Sequence, residues 1–300
     1  MQNIFKIWIR ATRPFSFTAS IIPVLIATTF ALANNLAINW ALFPVVLLGA
    51  VLFHIGANMV SDYYDYKFGV DAEDTYGGSG VLVEKLMQPK QVLAGGLLAF
   101  ALGFLIGLIL VYVRGYQVLL MGLGGLICGL FYTLTRKGWK YIALGDLAVF
   151  IAFGPLLFVG SFYSLTGTYN SDIILVSLPI GFLVVAILHA NNTRDTVNDS
   201  RVKIKTLPMY LGINGSKIAY YFLIFGAYAL TLVLVLLKLT HPLTLLVYLS
   251  LPVAIRNAIE FSQFRIDNFQ PIVMLDVKTA QLHLQFGLLF AISTLMSKVL

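Results

Sequence analysis

Charge is scarce in this chain and cysteine nearly absent. Of 300 residues only 33 are charged, Lys+Arg 20 and Asp+Glu 13, or 11% where a soluble domain carries about 25%. So few charges cannot clothe a core of this size in a water-facing shell. The one cysteine, Cys128, sits inside an apolar run and reads as a small core residue. No intramolecular disulfide, cysteine-based zinc site or iron–sulfur cluster can be built from it. What the chain has in abundance is hydrophobic sequence, 59% of residues with a mean hydropathy of +0.88. Its apolar stretches reach the roughly 20 residues that a spanning helix needs, so the composition specifies an all-α integral membrane protein and excludes disorder and coiled coil.

Hydropathy places nine spans in one domain covering 1–300, at about 15–35, 39–61, 91–113, 116–135, 142–164, 172–192, 216–237, 241–256 and 279–297. The eighth is the weakest, short and holding Pro242 and Pro252, and a re-entrant segment is its alternative. The N-terminus carries Lys6, Arg10 and Arg13 ahead of the first apolar run. It resembles a signal peptide's basic region, but no small-residue cleavage site leads into a soluble protein, so it reads as a retained first helix. With nine spans, 17 of the 20 Lys and Arg fall on the side of the N-terminus and of the loops after even-numbered spans. The positive-inside rule makes that side cytoplasmic. The excess charge of +7 also suits acidic lipid, and Trp8, Trp40 and Trp139 fall at span ends, where an interfacial belt is expected. Acidic residues do not obey the positive-inside rule, yet 12 of 13 share the cytoplasmic side, all but Asp172.

Those acids form two clusters. At the end of the second span Asn58, Asp62 and Asp65 recur at i, i+4 and i+7, on one helical face, with Asp71 following. At the end of the sixth span Asn191, Asp195 and Asp199 recur at i, i+4 and i+8. The two Asn-x-x-x-Asp units are 133 residues apart and return to the same face, a hint of a parallel repeat. Like carboxylates one turn apart repel, and near a bilayer their desolvation is costly, so a cation or a proton pathway is expected to offset them. Oxygen-only donors favour a hard cation; Mg²⁺ takes one or two carboxylates, keeps waters and completes its shell with phosphate. A magnesium-bound diphosphate is the expected ligand, and solvated acids pairing with nearby Arg and Lys are the alternative.

The segments NMVSDYYDYKFGVD, GGSGVL, FYTLTRKGWKYIALGDLAVFIAFGP, HANNTRDTVNDSRVKIKTL and KTAQLHLQFGLL resemble the UbiA superfamily of intramembrane prenyltransferases. The spacing N-x3-D-x2-D-x3-G-x-D resembles most its 1,4-dihydroxy-2-naphthoate polyprenyltransferase branch. The resemblance covers nearly the whole chain. It implies a nine-helix bundle of the UbiA type around a membrane-open cavity, in a bacterial cytoplasmic membrane. Two Mg²⁺ would bridge a polyprenyl diphosphate there, and an aromatic acceptor would take the prenyl group, giving demethylmenaquinone in menaquinone synthesis. Carried over by motif, Asn58, Asp62, Asp65, Asp195 and Asp199 would bind Mg²⁺, with Asp62, Asp65, Asp71, Asp195 and Asp199 catalytic and Asn58 and Asn192 facing the diphosphate. Two departures concern the acceptor. Tyr132-Thr-Leu-Thr-Arg136-Lys137 stands where Tyr-Thr-x-Gly-Pro is usual, and Asp146 where Glu often follows Leu-Gly.

Basic residues beside the motifs are Lys67, Arg136, Lys137, Arg194, Lys203 and Lys205. Arg136, Lys137 and Tyr132 are the leading candidates to hold the diphosphate, with Lys203 and Lys205 next. His54, one turn before Asn58, points toward the acceptor if it is not simply packed in the bundle; His189 near Asn192 is read the same way. Gly77-Gly78-Ser79-Gly80 lacks the Gly-Lys-Ser/Thr ending of a phosphate loop and is read as a flexible cap. The 40 Phe, Trp and Tyr residues supply an interior able to shield a carbocation. Alternatives are another acceptor (4-hydroxybenzoate-like, homogentisate-like or a non-quinone lipid) or a cation- or proton-coupled transporter, whose acids should lie nearer mid-membrane. A CDP-alcohol phosphatidyltransferase would need an Asp-Gly pair, which the chain lacks. Nothing points to nucleic acid.

Overall fold

The chain's apolar runs are long enough to satisfy their backbone polar groups within helices, the one open-chain solution inside a bilayer, and helices are what form. A computed structural model describes residues 3–72, 78–202, 204–265 and 268–298, apart from the side chains of Val197 and Asn198. Its principal helices are α1 (Ile4–Ala11), α2 (Thr18–Ala33), α3 (Phe43–Phe68), α4 (Pro89–Arg114), α5 (Tyr116–Phe131), α6 (Gly145–Ile151), α7 (Leu157–Thr166), α8 (Asp172–Arg201), α9 (Leu207–Leu236), α10 (Leu251–Ser262) and α11 (Leu275–Met296). Between described residues the only β pairings are two isolated bridges, Ile142 with Lys205 and Arg265 with Asn268.

Eight helical stretches are long and apolar enough to cross a membrane. The eighth predicted span is one of them, Pro242–Ser262. It is wound as a 3₁₀ helix from Pro242 to Ser250 before α10 begins, so it stays long despite its prolines. The fourth predicted span is the shorter α5, with 16 residues, about 24 Å at 1.5 Å per residue. It starts beside Arg114 and leads to Tyr132, whose ring packs on Gly145 at the start of α6. The fifth predicted span is broken at Ala152–Leu156, where Gly154 leaves helical geometry and Pro155 lacks an N–H.

The main core joins α2, α7, α8, α9 and α11 through residues such as Ile22, Phe162, Leu183, Tyr220 and Phe286. Between α3 and α4 the backbones approach closely through small residues, as membrane helices do. A Cβ on Gly96 would stand 2.9 Å from Val60, and one on Gly103 would stand 2.7 Å from the Phe53 ring. Elsewhere the helices splay around a cavity of about 340 Å³ lined by Gly107, Gly122, Phe153, Leu156 and Val184. Arg13, Asn58, Tyr132, Lys140, Asn191 and Asp276 lie at the end of it that carries both acidic motifs, which we call the motif face.

Candidate functional site

The first motif stays helical to its last aspartate because α3 runs on to Phe68 and is stopped by Gly69, whose φ of +76° suits glycine. Asp62 and Asp65, 2% and 1% exposed, lie on the face foreseen from their spacing. Asp62 is held by the Arg13 guanidinium and by the Ser79 hydroxyl, and accepts from the Ser79 N–H at 3.1 Å. Asp65 accepts from Ser61 Oγ at 3.0 Å, Lys140 Nζ at 2.8 Å and Tyr141 OH at 2.8 Å. Asn58 donates from Nδ2 to the Thr12 carbonyl at 3.0 Å and to Ser16 Oγ at 3.1 Å. Asp71 stands beside Gly78. There φ is +71°, and an added Cβ would meet Asp71 Oδ2 at 2.6 Å, the Arg13 guanidinium at 3.2 Å and Asp62 Oδ1 at 3.3 Å.

The second motif lies on α8, a 30-residue helix that at about 45 Å outreaches a hydrocarbon core of about 30 Å. Asp195 is paired through both oxygens with Arg194, at 2.8 and 3.0 Å, and the same guanidinium reaches Asp276 of α11 at 2.9 Å. Asn191 donates to Asp276 at 3.3 Å. Asn192 donates to Asp146 at 3.4 Å, and Asp146 stands 3.1 Å from His189. Asp199 is buried.

Among the described residues Arg13, Lys140 and Arg194 pair with these carboxylates, and two further carboxyls are raised. Burial, then the neighbouring Asp65, pushes the Asp71 carboxyl up to about 6. Burial raises Asp199 to about 7 against the pull of Lys140, with Asp195, Asp65 and Asp71 adding to the rise. Each motif therefore feels the other's charge across the same mouth. Burial would lower Lys140, but Asp65, Tyr132, Asp199 and Asp71 hold it raised. Tyr132 and Tyr141 are both raised, first by burial.

Among the described residues no three His, Cys, Asp or Glu side chains already form a metal cluster. The donors are nevertheless all oxygen, and burial and neighbouring carboxylates hold half-buried Asp71 and buried Asp199 raised, which is the chemistry of a hard-cation site. Arg13 Nε is buried without a hydrogen-bond partner at a mouth that Arg13 lines, a donor available to an anion. The residues present therefore fit a divalent cation bound together with an anion.

The structure brings Asn58, Asp62, Asp65, Asp71, Asn192, Asp195 and Asp199 to one face. His54 is buried and lines the cavity, its ring 4.8 Å from Phe153, and half-buried Tyr132 lines the same space. Arg136 and Lys137 are exposed, and Arg136 lies over the Phe68 ring at 5.4 Å; it is Lys140, one turn on, that enters the site. Lys205 stacks over Tyr210 at 5.8 Å while its N–H donates to the Tyr141 carbonyl at 3.1 Å. Lys203 and Gly77 lie outside the described residues. Cys128 lines the cavity at intermediate burial instead of sitting in a core. Trp8 and Trp40 are exposed near helix ends and Trp139 is half-buried.

From the sequence Arg13 reads as a topology signal and Ser79 only as part of a cap, and no role attaches to Lys140, Tyr141 or Asp276. Ser79 stands within the GGSGVL segment, Lys140 and Tyr141 within FYTLTRKGWKYIALGDLAVFIAFGP, and Asp276 two residues before KTAQLHLQFGLL.

Comparison with known proteins follows the same lines. Residues 20–270 match the family model described as the UbiA prenyltransferase family. The chain is 32% identical over 287 residues to "UbiA prenyltransferase domain-containing protein 1" of Xenopus tropicalis, covering 94% of this chain and 80% of that one. It is 31% identical to "1,4-dihydroxy-2-naphthoate octaprenyltransferase" of Bacillus subtilis (strain 168) over 298 residues, 99% of this chain and 94% of the relative. A UbiA homologue from Archaeoglobus fulgidus, solved bound to GPP and Mg²⁺, shares the fold with a TM-score of 0.64 at 15% identity, over 95% of this chain and 99% of that one.

Proposed function

From the premise that this chain belongs to the UbiA prenyltransferase family, we propose that it transfers a polyprenyl group from its diphosphate to 1,4-dihydroxy-2-naphthoate, in a Mg²⁺-dependent reaction. The observation that carries this reading is the pair of aspartate motifs, with Asp62, Asp65 and Asp199 buried, facing one another across the mouth of a largely apolar cavity. The naphthoate-specific relative and the Mg²⁺ and GPP of the structural neighbour support it.

An allylic diphosphate ionises when charge on its leaving oxygens is neutralised, and bound Mg²⁺, two ions in this reading, would supply most of that neutralisation. Asn58, Asp62, Asp65, Asn192, Asp195 and Asp199 would hold the Mg²⁺, with Asp71 beside them. Arg13 and Lys140 donate to the diphosphate; Arg136, Lys137, Lys203 and Lys205 attract it toward the mouth. The prenyl tail runs along the cavity past Phe153 and Leu156, whose apolar walls shield the allylic cation from water. The acceptor ring approaches from the side of His54 and Tyr132, and its ring carboxylate leaves as CO₂ when the new carbon–carbon bond forms. All nine apolar helices cross the bilayer in this reading, α5 included, with the motif face cytoplasmic in a bacterial inner membrane.

Purified protein given radiolabelled polyprenyl diphosphate and a panel of aromatic acceptors, with and without Mg²⁺, tests the proposal. Transfer to dihydroxynaphthoate that needs Mg²⁺ and vanishes in Asp62→Ala and Asp195→Ala is the expected result. Transfer to a 4-hydroxybenzoate- or homogentisate-like acceptor alone would reassign the pathway. No transfer, with liposomal cation flux that needs the same aspartates, would replace the enzyme by a transporter.

A further inference from the structure

In both motifs the asparagine amide is anchored by its nitrogen, and in both the anchor is backed by a buried histidine. Asn192 Nδ2 donates to Asp146 Oδ1 at 3.4 Å; Asp146 Oδ2 lies 3.1 Å from His189 Nδ1, and His189 Nε2 donates to the Ser216 carbonyl at 3.1 Å. One proton must stand between Asp146 and His189, because neither a carboxylate nor a bare ring nitrogen can donate. His189 is 0% and Asp146 7% exposed, so water does not compete for these contacts.

On α3 the pattern repeats with a hydroxyl in place of the carboxylate. Asn58 Nδ2 donates to the Thr12 carbonyl and to Ser16 Oγ. Ser16 gives its own hydrogen to the Arg13 carbonyl at 2.8 Å, leaving lone pairs for Asn58 and for His54 Nε2–H at 3.2 Å. His54 Nδ1 then accepts from Ser20 Oγ at 2.8 Å. A carboxylate and a backbone carbonyl only accept, so the orientation of each amide follows from chemistry. The nitrogen faces the anchor and Oδ1, the better ligand for a hard cation, is left free of it.

We propose that Asp146 with His189, and Ser16 with His54, are positioning residues that present the amide oxygens of Asn192 and Asn58 to the bound cation. The inference rests on the metal-dependent reading above. It makes the two buried histidines parts of the cation site, acting through another side chain, where the sequence offered only packing or acceptor contact. Outer contacts of this kind are worth roughly 10–100-fold in metal affinity.

The test measures Mn²⁺ affinity of the purified full-length protein in the presence of inorganic pyrophosphate, by the electron paramagnetic resonance signal of free Mn²⁺. Asp146→Leu should weaken binding about tenfold or more. Asp146→Asn should stay within about threefold, because its Nδ2 can donate to His189 Nδ1 while its Oδ1 still accepts from Asn192. Ser16→Ala, which leaves the Thr12 anchor, should weaken binding roughly two- to threefold. Adding D146L to Asn192→Ala should cost nothing further. Equal losses in D146N and D146L would make Asp146 a ligand or a charge and overturn the positioning role. So would unchanged affinity in D146L while Asp62→Ala abolishes binding, an outcome that leaves the metal-dependent reading standing. Absence of Mn²⁺ binding in the unaltered protein would overturn both. Metal-free melting is recorded alongside, and if D146L does not fold, unchanged affinity in S16A overturns the proposal.

Discussion

Replacing Lys140 by Met removes the cation that Asp65 relies on and keeps the length of the side chain. The two charges are 2.8 Å apart, with side-chain exposures of 14% and 1%. At an effective dielectric constant of 20 the Coulomb attraction is about 6 kcal/mol, and desolvation of both groups cancels a large part of it. Deleting one partner of a buried pair typically costs about 3–5 kcal/mol because the other charge is stranded. The partial exposure of Lys140 places this case at the lower end, about 3 kcal/mol. Tyr141 and Ser61 still donate to Asp65, so the protein should fold but unfold earlier in an SDS titration. A bound divalent cation would answer the same carboxylate, so Mg²⁺ with pyrophosphate should raise the stability of K140M by more than it raises that of the parent protein. Prenyl transfer should also fall, since Lys140 reaches the leaving diphosphate. Equal metal-free stability of the two proteins, or a smaller Mg²⁺ gain in the variant, would refute the reasoning.

Asp71 and Asp199, at about 6 and about 7, must ionise to serve a cation, so Mg²⁺ affinity should rise with pH through that range and level off above about 8. Calorimetry in two buffers should show proton release near pH 6, and an affinity flat from pH 5.5 to 8 would contradict the assignment. The sign for stability is the reverse. Both folded-state values lie above the unfolded carboxylate's, so the metal-free protein binds extra protons when folded and should lose stability as pH climbs from about 4 to 7. At Gly78, where φ is +71° and Asp71 would stand 2.6 Å from a new Cβ, Gly78→Ala should cost about 1–2 kcal/mol for backbone strain and lower transfer, as melting and activity assays would register. Gly107→Ala, inside α4 where nothing lies within 4 Å of the new Cβ, should raise melting slightly, by up to about 1 kcal/mol of helix propensity. Gly122 faces equally open space along the cavity, so Gly122→Leu should shift the preference from long polyprenyl diphosphates toward geranyl diphosphate in a competition assay.

Hydropathy and charge were enough to specify a helical membrane protein, because the cost of an unpaired backbone group in lipid leaves little choice of structure. Helical periodicity alone places Asn58, Asp62 and Asp65 on one face of α3, since 3.6 residues per turn fixes that geometry locally. Span ends were less legible. The second motif continues α8 well past its apolar run, and the helix carrying the fourth span stops at Phe131, because packing and capping, not hydropathy, end a helix.

Which cations meet which carboxylates was decided only in three dimensions. Arg136, Lys137 and Lys140 are alike in composition and lie within five residues, yet the turn at Gly138 sends Lys140 inward to Asp65 and leaves the other two outside. Arg13 meets Asp62 across 49 residues and Arg194 meets Asp276 across 82, contacts that no local pattern encodes. Composition and neighbours within two turns set the class of fold, the chemistry of the donors and the face on which they stand. Tertiary structure decided the pairing, the cavity and the burial that raises Asp71 and Asp199, since those depend on where distant helices come to rest.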